Sequence, residues 1–215
     1  VQDLQLGRGE SVEDTARALS RYVDAIMIRC FEHDTMMTLA ANATVPVINA
    51  LTNRSHPCQL MADLLTMIEY HGPLTGQTVA WLGDGNNVAA SWVEAAALFG
   101  FQLRMACPHN YAPPVELLAW ARANGGDIML TGDVAEAVDQ VQSVVTDVWV
   151  SMGQEGGSQQ QDLAAYQVNE QVMKRAAGDA IFMHCLPAKR GLEVSAAVID
   201  GPQSVVFDEA ENRLH

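Results

Sequence analysis

Residues 78–88 have the sequence TVAWLGDGNNV, in which an apolar run, a glycine-rich turn and a helix start follow one another. Short apolar runs and longer helical patterns alternate in the same way through most of the remaining chain. Because strands joined by helical crossovers form parallel sheets, a doubly wound, Rossmann-like α/β sheet is predicted. The predicted strands are 78–82, 102–106, 127–130, 144–147 and 180–183, and the predicted helices are 88–99, 114–124, 134–140 and 168–176. The polar, glycine-rich residues 154–162 are predicted to form a mobile loop.

The residues before this sheet predict another parallel α/β unit. Ser11 and Asp14 have capping-box spacing at the start of a helix, and Pro57 suits the first turn of a later helix. Strands are predicted at 25–28 and 45–48, a helix at 35–43, and an apolar stripe on the Pro57 helix at Leu60, Met61, Leu64, Leu65 and Ile68. Because the sequence HGPLTG at 71–76 breaks the pattern, two α/β domains meeting at residues 71 and 72 are predicted.

Composition excludes several classes of function. The 215-residue chain has a formal net charge of −14, which argues against a nucleic-acid-binding surface. Its apolar runs fall short of the roughly 18 residues of a membrane span, and its first ten residues do not resemble a signal peptide. We therefore expect a cytoplasmic protein that binds neither nucleic acid nor membrane.

The four cysteines, at positions 30, 58, 107 and 185, include no CxxC pair. Cys58 and Cys185 each lie near a histidine, His56 and His184, but these two pairs are far apart in the sequence. Structural zinc sites use shorter ligand spacings, so we expect reduced thiols and no metal.

Polar and reactive residues collect where the predicted strands end. Ligands of parallel sheets bind outside the carboxyl ends of the strands, so the sequence predicts a ligand site at this edge in both domains. The residues concerned are Arg29, His56 to Gln59, Gly83 to Asn87, Asp147 to Gly153 and His184 to Pro187.

The glycine-rich turn leaves two interpretations open. It could hold a pyrophosphate, as in nicotinamide-dependent dehydrogenases. However, Val88 occupies the place of the third glycine of that motif, and no acidic residue ends the next predicted strand. A turn that directs Asn87 at a small polar ligand fits better.

Each remaining motif also has a structural and a functional interpretation. His56 either caps a helix or donates to the oxygen of an anion, and Arg29 either pairs with an internal carboxylate or binds an anionic ligand. Gln59 can pair with an amide-like group. Asp147 and Ser151 either shape a turn or bind an amino acid. Cys185 is either a buried structural thiol or a reactive one.

His184 and Cys185 are neighbours on a predicted strand, so their side chains should point to opposite faces. Their adjacency therefore argues against a thiolate–imidazole pair.

Together, the motifs HPCQ, LGDGNNV, DVWVSMG, HCLP and ENR closely resemble the ornithine carbamoyltransferase family, in that family's order. The resemblance covers essentially the whole chain, and the DxxxSMG motif points to ornithine rather than aspartate as the acceptor. It implies transfer of the carbamoyl group of carbamoyl phosphate to L-ornithine, without a cofactor, by a homo-oligomer that is a trimer or a multiple of trimers. It also implies that residues 1–71 belong to the carbamoyl-phosphate domain, 72–203 to the ornithine domain, and 204–215 to the start of the return to the first domain.

The resemblance implies a role for each matching residue. Arg29, His56, Gln59 and Arg213 correspond to ligands of carbamoyl phosphate, with Arg29, His56 and Arg213 counted as catalytic. Asn87, Asp147, Ser151 and Met152 correspond to the ornithine clamp. Cys185, also catalytic, and Leu186 correspond to the pair beside the reacting amine.

The chain departs from the family pattern at both ends. The family's Ser-x-Arg-Thr phosphate loop would lie upstream of Val1, and its long final helix would lie beyond His215. The first domain is therefore expected to be incomplete and the chain as given to be inactive, whereas the full gene product is expected to be active. The alternatives are a transcarbamoylase for another amine, such as acetylornithine or putrescine, and a non-catalytic homologue.

Overall fold

A computed structural model of the chain describes residues 9–149 and 159–215. It divides into two compact units, Val1–Cys58 and Gln59–His215. Both units are α/β and both contain a parallel sheet, which confirms the predicted fold class. Within the described residues, no helix is long and apolar enough to cross a membrane.

The first unit has the predicted order of helices and strands. It contains α1 (Val12–Leu19), β1 (Ile26–Arg29), α2 (His33–Asn42) and β2 (Val47–Leu51). Ser11 caps α1 as predicted, because its side chain accepts a hydrogen bond from the backbone N–H of Asp14 at 3.0 Å. The two strands are parallel, and Ala16, Ile26 and Leu39 form a small core. β2 begins two residues later than predicted.

Helix α3 (Pro57–His71) starts at the proline as predicted, but its predicted apolar stripe is partly wrong. Leu60 and Leu64 are buried, whereas Met61 and Ile68 are 50% and 44% exposed. The buried face carries three polar residues instead: Gln59, Asp63 and Thr66. Apolar spacing alone missed this face because those polar side chains are buried in hydrogen-bonded positions.

The second unit contains the predicted doubly wound sheet. Its strands are β3 (Thr78–Leu82), β4 (Gln102–Ala106), β5 (Asp127–Thr131), β6 (Ser143–Thr146) and β7 (Ile181–His184). They are all parallel and lie in the order β5-β4-β3-β6-β7. The strand order reverses between β3 and β6, and such a switch point is where ligands bind in this class of fold.

Helices cover both faces of this sheet. They are α4 (Asn87–Phe99), α5 (Val115–Ala123), α6 (Val134–Val138), α7 (Gln159–Leu163), α8 (Glu170–Arg175), α9 (Ala196–Ile199) and α10 (Val206–Asn212), with 3-10 turns at His109–Tyr111 and Ala164–Tyr166. Along β3, Trp81 packs into one core and Leu82 into the other. Burial on both faces explains why β3 is apolar throughout rather than alternating. Residues 159–162, predicted to be part of a loop, lie in α7, and residues 154–158 of that prediction lie outside the described part.

Candidate active site

The turn after β3 depends on two glycines. Gly83 has a φ of +119°, which side chains rarely tolerate. Gly85 has ordinary backbone angles but no room, since a Cβ added there would lie 2.4 Å from the backbone nitrogen of Pro113. The glycines therefore serve turn geometry and close packing, and the turn leads directly into Asn86 at the start of α4.

Asn86 links this turn to the end of β6. Its side-chain oxygen caps α4 by accepting from the N–H groups of Val88 and Ala89, and its Nδ2 donates to Asp147 Oδ2 at 2.8 Å. The sequence prediction placed Asn87 against the ligand. Asn87 is the first residue of α4 and is half-buried, while its neighbour Asn86 contacts Asp147.

Cys185 completes a group of three residues at the switch point. Its Sγ donates to Asp147 Oδ1 at 3.0 Å, and the backbone N–H of Val148 donates to the same oxygen at 2.7 Å. We call Asn86, Asp147 and Cys185 the switch-point cluster. The thiol is held as a donor to a carboxylate, so this arrangement does not generate a thiolate.

The chemistry of Cys185 follows from its surroundings. Burial raises the pKa of this thiol well above its usual value, and the negative charge of Asp147 raises it further. The carboxyl groups of Asp63 and Glu209 act in the same direction. A neutral thiol beside a carboxylate suits contact with an amine better than nucleophilic attack.

The His184 ring is hydrogen-bonded to Leu186 rather than to Cys185, although one of its nitrogens lies within 4.8 Å of Cys185 Sγ, so the predicted opposite orientation of the two side chains stays a prediction. Nδ1 of His184 accepts the backbone N–H of Leu186 at 2.9 Å, so the ring hydrogen lies on Nε2. That nitrogen is 3.4 Å from Glu193 Oε1, and both side chains are fully buried. The backbone at Leu186 has a φ of +53°. The hydrogen bond that its N–H donates to His184 helps to stabilise this uncommon conformation.

A second polar group joins α3 to the end of the chain. Gln59 Nε2 donates to Asp63 Oδ1 at 2.8 Å and to Glu209 Oε1 at 2.9 Å. Arg213, directly after α10, donates from Nη1 to Gln59 Oε1 at 2.6 Å. We call Gln59, Asp63, Glu209 and Arg213 the α3–α10 network. Gln59 and Arg213 were predicted from the sequence and lie together, whereas Asp63 and Glu209 were not predicted.

The α3–α10 network connects directly to β7. Glu209 Oε2 accepts the backbone N–H of His184 at 2.8 Å, one residue before Cys185. The carboxylate of Asp147 also influences the pKa of Asp63. The two groups therefore belong to one polar region at the carboxyl edge of the second sheet.

Asp84 is a further acidic residue that the sequence analysis did not single out. Burial and the nearby charge of Asp147 raise its pKa to about 6, although Gln159 Nε2 donates to its Oδ2 at 3.2 Å. Its position inside the glycine-rich turn is the sequence feature that could have identified it as a site residue.

Three residues at this edge could offer ligand atoms to a metal. Asp147, His184 and Cys185 each provide one atom, and these atoms lie within 4.8 Å of one another. All three side chains already take part in hydrogen bonds within the protein. Cys185 donates to Asp147, and His184 accepts from the backbone N–H of Leu186. The expectation of a metal-independent site stays a prediction.

Arg29 and His56 belong to the first unit. Arg29 is exposed at the carboxyl end of β1, where it lies opposite Leu51 of β2. His56 is buried and follows a short turn after β2, in which the Thr52 side chain accepts from the N–H groups of Arg54 and Ser55. Arg29 therefore ends a strand and His56 follows one, as predicted. Ser151 and Met152 lie outside the described residues.

The chain matches two family models of known proteins. Residues 1–69 match the family model described as aspartate/ornithine carbamoyltransferase, carbamoyl-P binding domain. Residues 75–215 match the model described as aspartate/ornithine carbamoyltransferase, Asp/Orn binding domain. The two matches together span nearly the whole chain.

Individual relatives agree with these matches. The chain is 61% identical over 214 residues to the ornithine carbamoyltransferase of Bradyrhizobium diazoefficiens, which covers 99% of this chain and 70% of that protein. The structure of ornithine carbamoyltransferase from Pyrococcus furiosus has a TM-score of 0.94 at 49% identity, covering 100% of this chain and 70% of that one. The structure of anabolic ornithine carbamoyltransferase from Campylobacter jejuni has a TM-score of 0.93 at 40% identity, covering 99% of this chain and 73% of that one.

Proposed function

This chain belongs to the aspartate/ornithine carbamoyltransferase family, and from that premise we propose that it transfers the carbamoyl group of carbamoyl phosphate to the side-chain amine of L-ornithine, giving L-citrulline and phosphate. The observation that carries this proposal is the pair of matches to a carbamoyl-phosphate domain and an Asp/Orn domain, with relatives named ornithine carbamoyltransferase. Family membership replaces the dehydrogenase interpretation of the glycine-rich turn.

The switch-point cluster suits an amino acid with a cationic group. Asp147 is held by Asn86 and Cys185 and presents negative charge at the sheet edge, with Asp84 nearby. We assign Asp147 to the α-ammonium group of ornithine, because a carboxylate touching the reacting amine would favour its protonated, unreactive form. Asn87, Ser151 and Met152 are proposed to complete the clamp.

Cys185 and Leu186 are proposed to lie beside the reacting amine. Free in water, an amine of this kind has a pKa of about 10.4, so only about four molecules in ten thousand are neutral at pH 7. Transfer from water into a site lined by a neutral thiol and the Leu186 side chain lowers that pKa. The neutral amine then attacks the carbamoyl carbon.

Carbamoyl phosphate is assigned to Arg29, His56, Gln59 and Arg213. Attack forms a tetrahedral intermediate with an oxyanion. The nitrogen passes its proton to an oxygen of the departing phosphate, and the intermediate collapses to the ureido product with cleavage of the bond between the carbamoyl carbon and the phosphate oxygen. Guanidinium and imidazole donors stabilise the oxyanion and the departing phosphate, and loss of one such donor typically costs ~100- to 1,000-fold in rate. In this scheme Gln59 orients the carbamoyl amide.

Polarisation and positioning account for the reaction, so we propose no metal or organic cofactor and no covalent intermediate on Cys185.

The wider setting is part of the same proposal. We assign residues 1–71 to carbamoyl phosphate, 72–203 to ornithine and 204–215 to the return to the first domain. The protein is proposed to act in the cytoplasm, in arginine metabolism, as a trimer or a multiple of trimers. The four cysteines, which are free, support a reducing compartment.

A substrate panel tests the proposal. The full gene product is supplied with carbamoyl phosphate and either ornithine, acetylornithine or putrescine, and the ureido product and phosphate are measured together. We expect citrulline from ornithine and little product from the other two amines, because neither offers both a free α-ammonium and a carboxylate. Equal transfer to putrescine would contradict the ornithine assignment.

A further inference from the structure

The orientation of the Gln59 amide is determined by its neighbours. Both hydrogens of Nε2 point at carboxyl oxygens, of Asp63 and Glu209, while Oε1 accepts from the guanidinium of Arg213. If the amide were turned over, its oxygen would face two carboxyl groups and its NH₂ would face a cation. Three favourable contacts would become three unfavourable ones, so only one orientation fits.

The two carboxyl groups converge on one nitrogen, since Asp63 Oδ1 and Glu209 Oε1 lie 2.8 and 2.9 Å from Gln59 Nε2. Two buried negative charges this close would repel each other, which favours a pair that retains one proton. Burial raises the pKa of Asp63 to about 7 and that of Glu209 well above its usual value, which agrees with one retained proton. The single remaining negative charge balances the positive charge of Arg213.

We propose that the buried pair Asp63–Glu209, sharing one proton, is a positioning device that locks the Gln59 amide with its oxygen toward the carbamoyl group and thereby selects acyl phosphates that carry an amino group. This inference rests on the proposed function, because it assumes that Gln59 contacts carbamoyl phosphate. An amide oxygen has two acceptor sites. One accepts from Arg213, and we assign the second to the carbamoyl NH₂.

The ligand class that this device rejects follows from its chemistry. Acetyl phosphate has nearly the same shape as carbamoyl phosphate but carries a methyl group in place of NH₂. It cannot donate to Gln59 Oε1, so binding it leaves a polar oxygen facing a methyl group. Sites that hydrogen-bond a substrate group discriminate strongly against analogues that lack it.

Two isosteric substitutions separate this role from a general structural role. In Asp63→Asn, one amide oxygen still accepts from Gln59 and the new NH₂ donates to Glu209, replacing the shared proton. Glu209→Gln has no such solution. Both oxygens of Glu209 already accept N–H groups, from Gln59 and from the His184 backbone, so the new NH₂ faces a donor in either orientation.

The experiment measures the affinities of carbamoyl phosphate and acetyl phosphate by titration calorimetry, together with citrulline formation. Glu209→Gln is expected to lower the preference for carbamoyl phosphate at least ~10-fold, whereas Asp63→Asn stays within about threefold of the original protein. Thr66→Val is the matched control, since it breaks the contact between Asn212 and Thr66 across the same two helices without touching Gln59. It is expected to leave the preference unchanged within about threefold.

Each result has a defined meaning. Loss of preference in Asp63→Asn or Thr66→Val to the same extent as in Glu209→Gln would overturn the inference, as would full retention in Glu209→Gln. If Glu209→Gln cannot be purified folded, Asp63→Ala replaces it, and is expected to lose the preference that Asp63→Asn keeps. If the unchanged protein shows no preference for carbamoyl phosphate and makes no citrulline, the proposed function itself fails.

Discussion

The switch-point cluster and the α3–α10 network are both polar groups at one sheet edge, but they control charge differently. In the first, the Asp147 carboxylate accepts hydrogen bonds from an amide, a backbone N–H and a thiol, and we assign its charge to a cationic ligand group. In the second, the buried carboxyl groups of Asp63 and Glu209 both accept from one neutral amide, and in our proposal they share one proton. The comparison leads us to propose that burial and donor count, rather than residue type, decide whether a carboxyl group binds a cation or positions a neighbour.

The largest effect is expected from removing the charge of the switch-point cluster. Asp147→Asn keeps the shape of the side chain but loses the carboxylate assigned to the α-ammonium group. The kcat/KM for ornithine should fall on the order of 100- to 1,000-fold, while the affinity for carbamoyl phosphate changes little. Steady-state kinetics with each substrate varied in turn measure both. Unchanged ornithine affinity would show that Asp147 has another role.

A smaller effect is expected from the thiol in the same cluster. Site-resolved mass spectrometry can follow alkylation of Cys185 by iodoacetamide as the pH is raised. Because burial and Asp147 raise the pKa of this thiol, its alkylation should remain slow at pH 9, where a free cysteine already reacts. In Asp147→Asn the reaction should begin at lower pH. Rapid alkylation of the original protein at pH 7 would contradict the neutral-thiol interpretation.

The smallest effect concerns the pH dependence of folding stability in the α3–α10 network. Asp63 has a pKa of about 7 in the folded chain, above the value of about 4 for an exposed aspartate. The folded state therefore holds a proton that the unfolded state releases, and stability decreases as the pH rises from about 4 to about 7. The slope from this group is at most about 1.4 kcal/mol per pH unit. Asp63→Asn removes this contribution.

Urea unfolding of the original protein and of Asp63→Asn, at several pH values between about 4 and about 7, measures how the free energy of unfolding depends on pH in each. The Asp63→Asn protein should lose less stability with rising pH than the original protein does. Parallel curves for the two proteins would show that Asp63 titrates normally and that the pair does not retain a proton.

The same comparison explains what the sequence could predict. Strands β3 and β4 were predicted with the bounds that the structure has, because buried parallel strands appear as short apolar runs between turn signals. Asp147 and Cys185 were predicted because they follow strand ends, and the carboxyl edge of a parallel sheet brings such residues together.

The α3–α10 network was only half predicted, for a physical reason. Asp63 lies on a helix at a position that apolar spacing treats as solvent-facing, and Glu209 is 150 residues from its partner Gln59. Only the tertiary placement of α10 brings them together, and no local pattern encodes that contact. The contact of Asn86 with Asp147 was missed for a different reason, since the roles of two adjacent amides cannot be distinguished until the helix cap is known.

The central claim is direct transfer of the carbamoyl carbon to ornithine, without attachment to the protein. NMR with ¹³C-labelled carbamoyl phosphate follows that carbon, and mass spectrometry of the quenched protein reports any adduct. We predict a ureido signal of citrulline that grows in step with phosphate release, with no label on Cys185. Phosphate release without citrulline, or labelled Cys185 formed and consumed at the rate of turnover, would contradict the account.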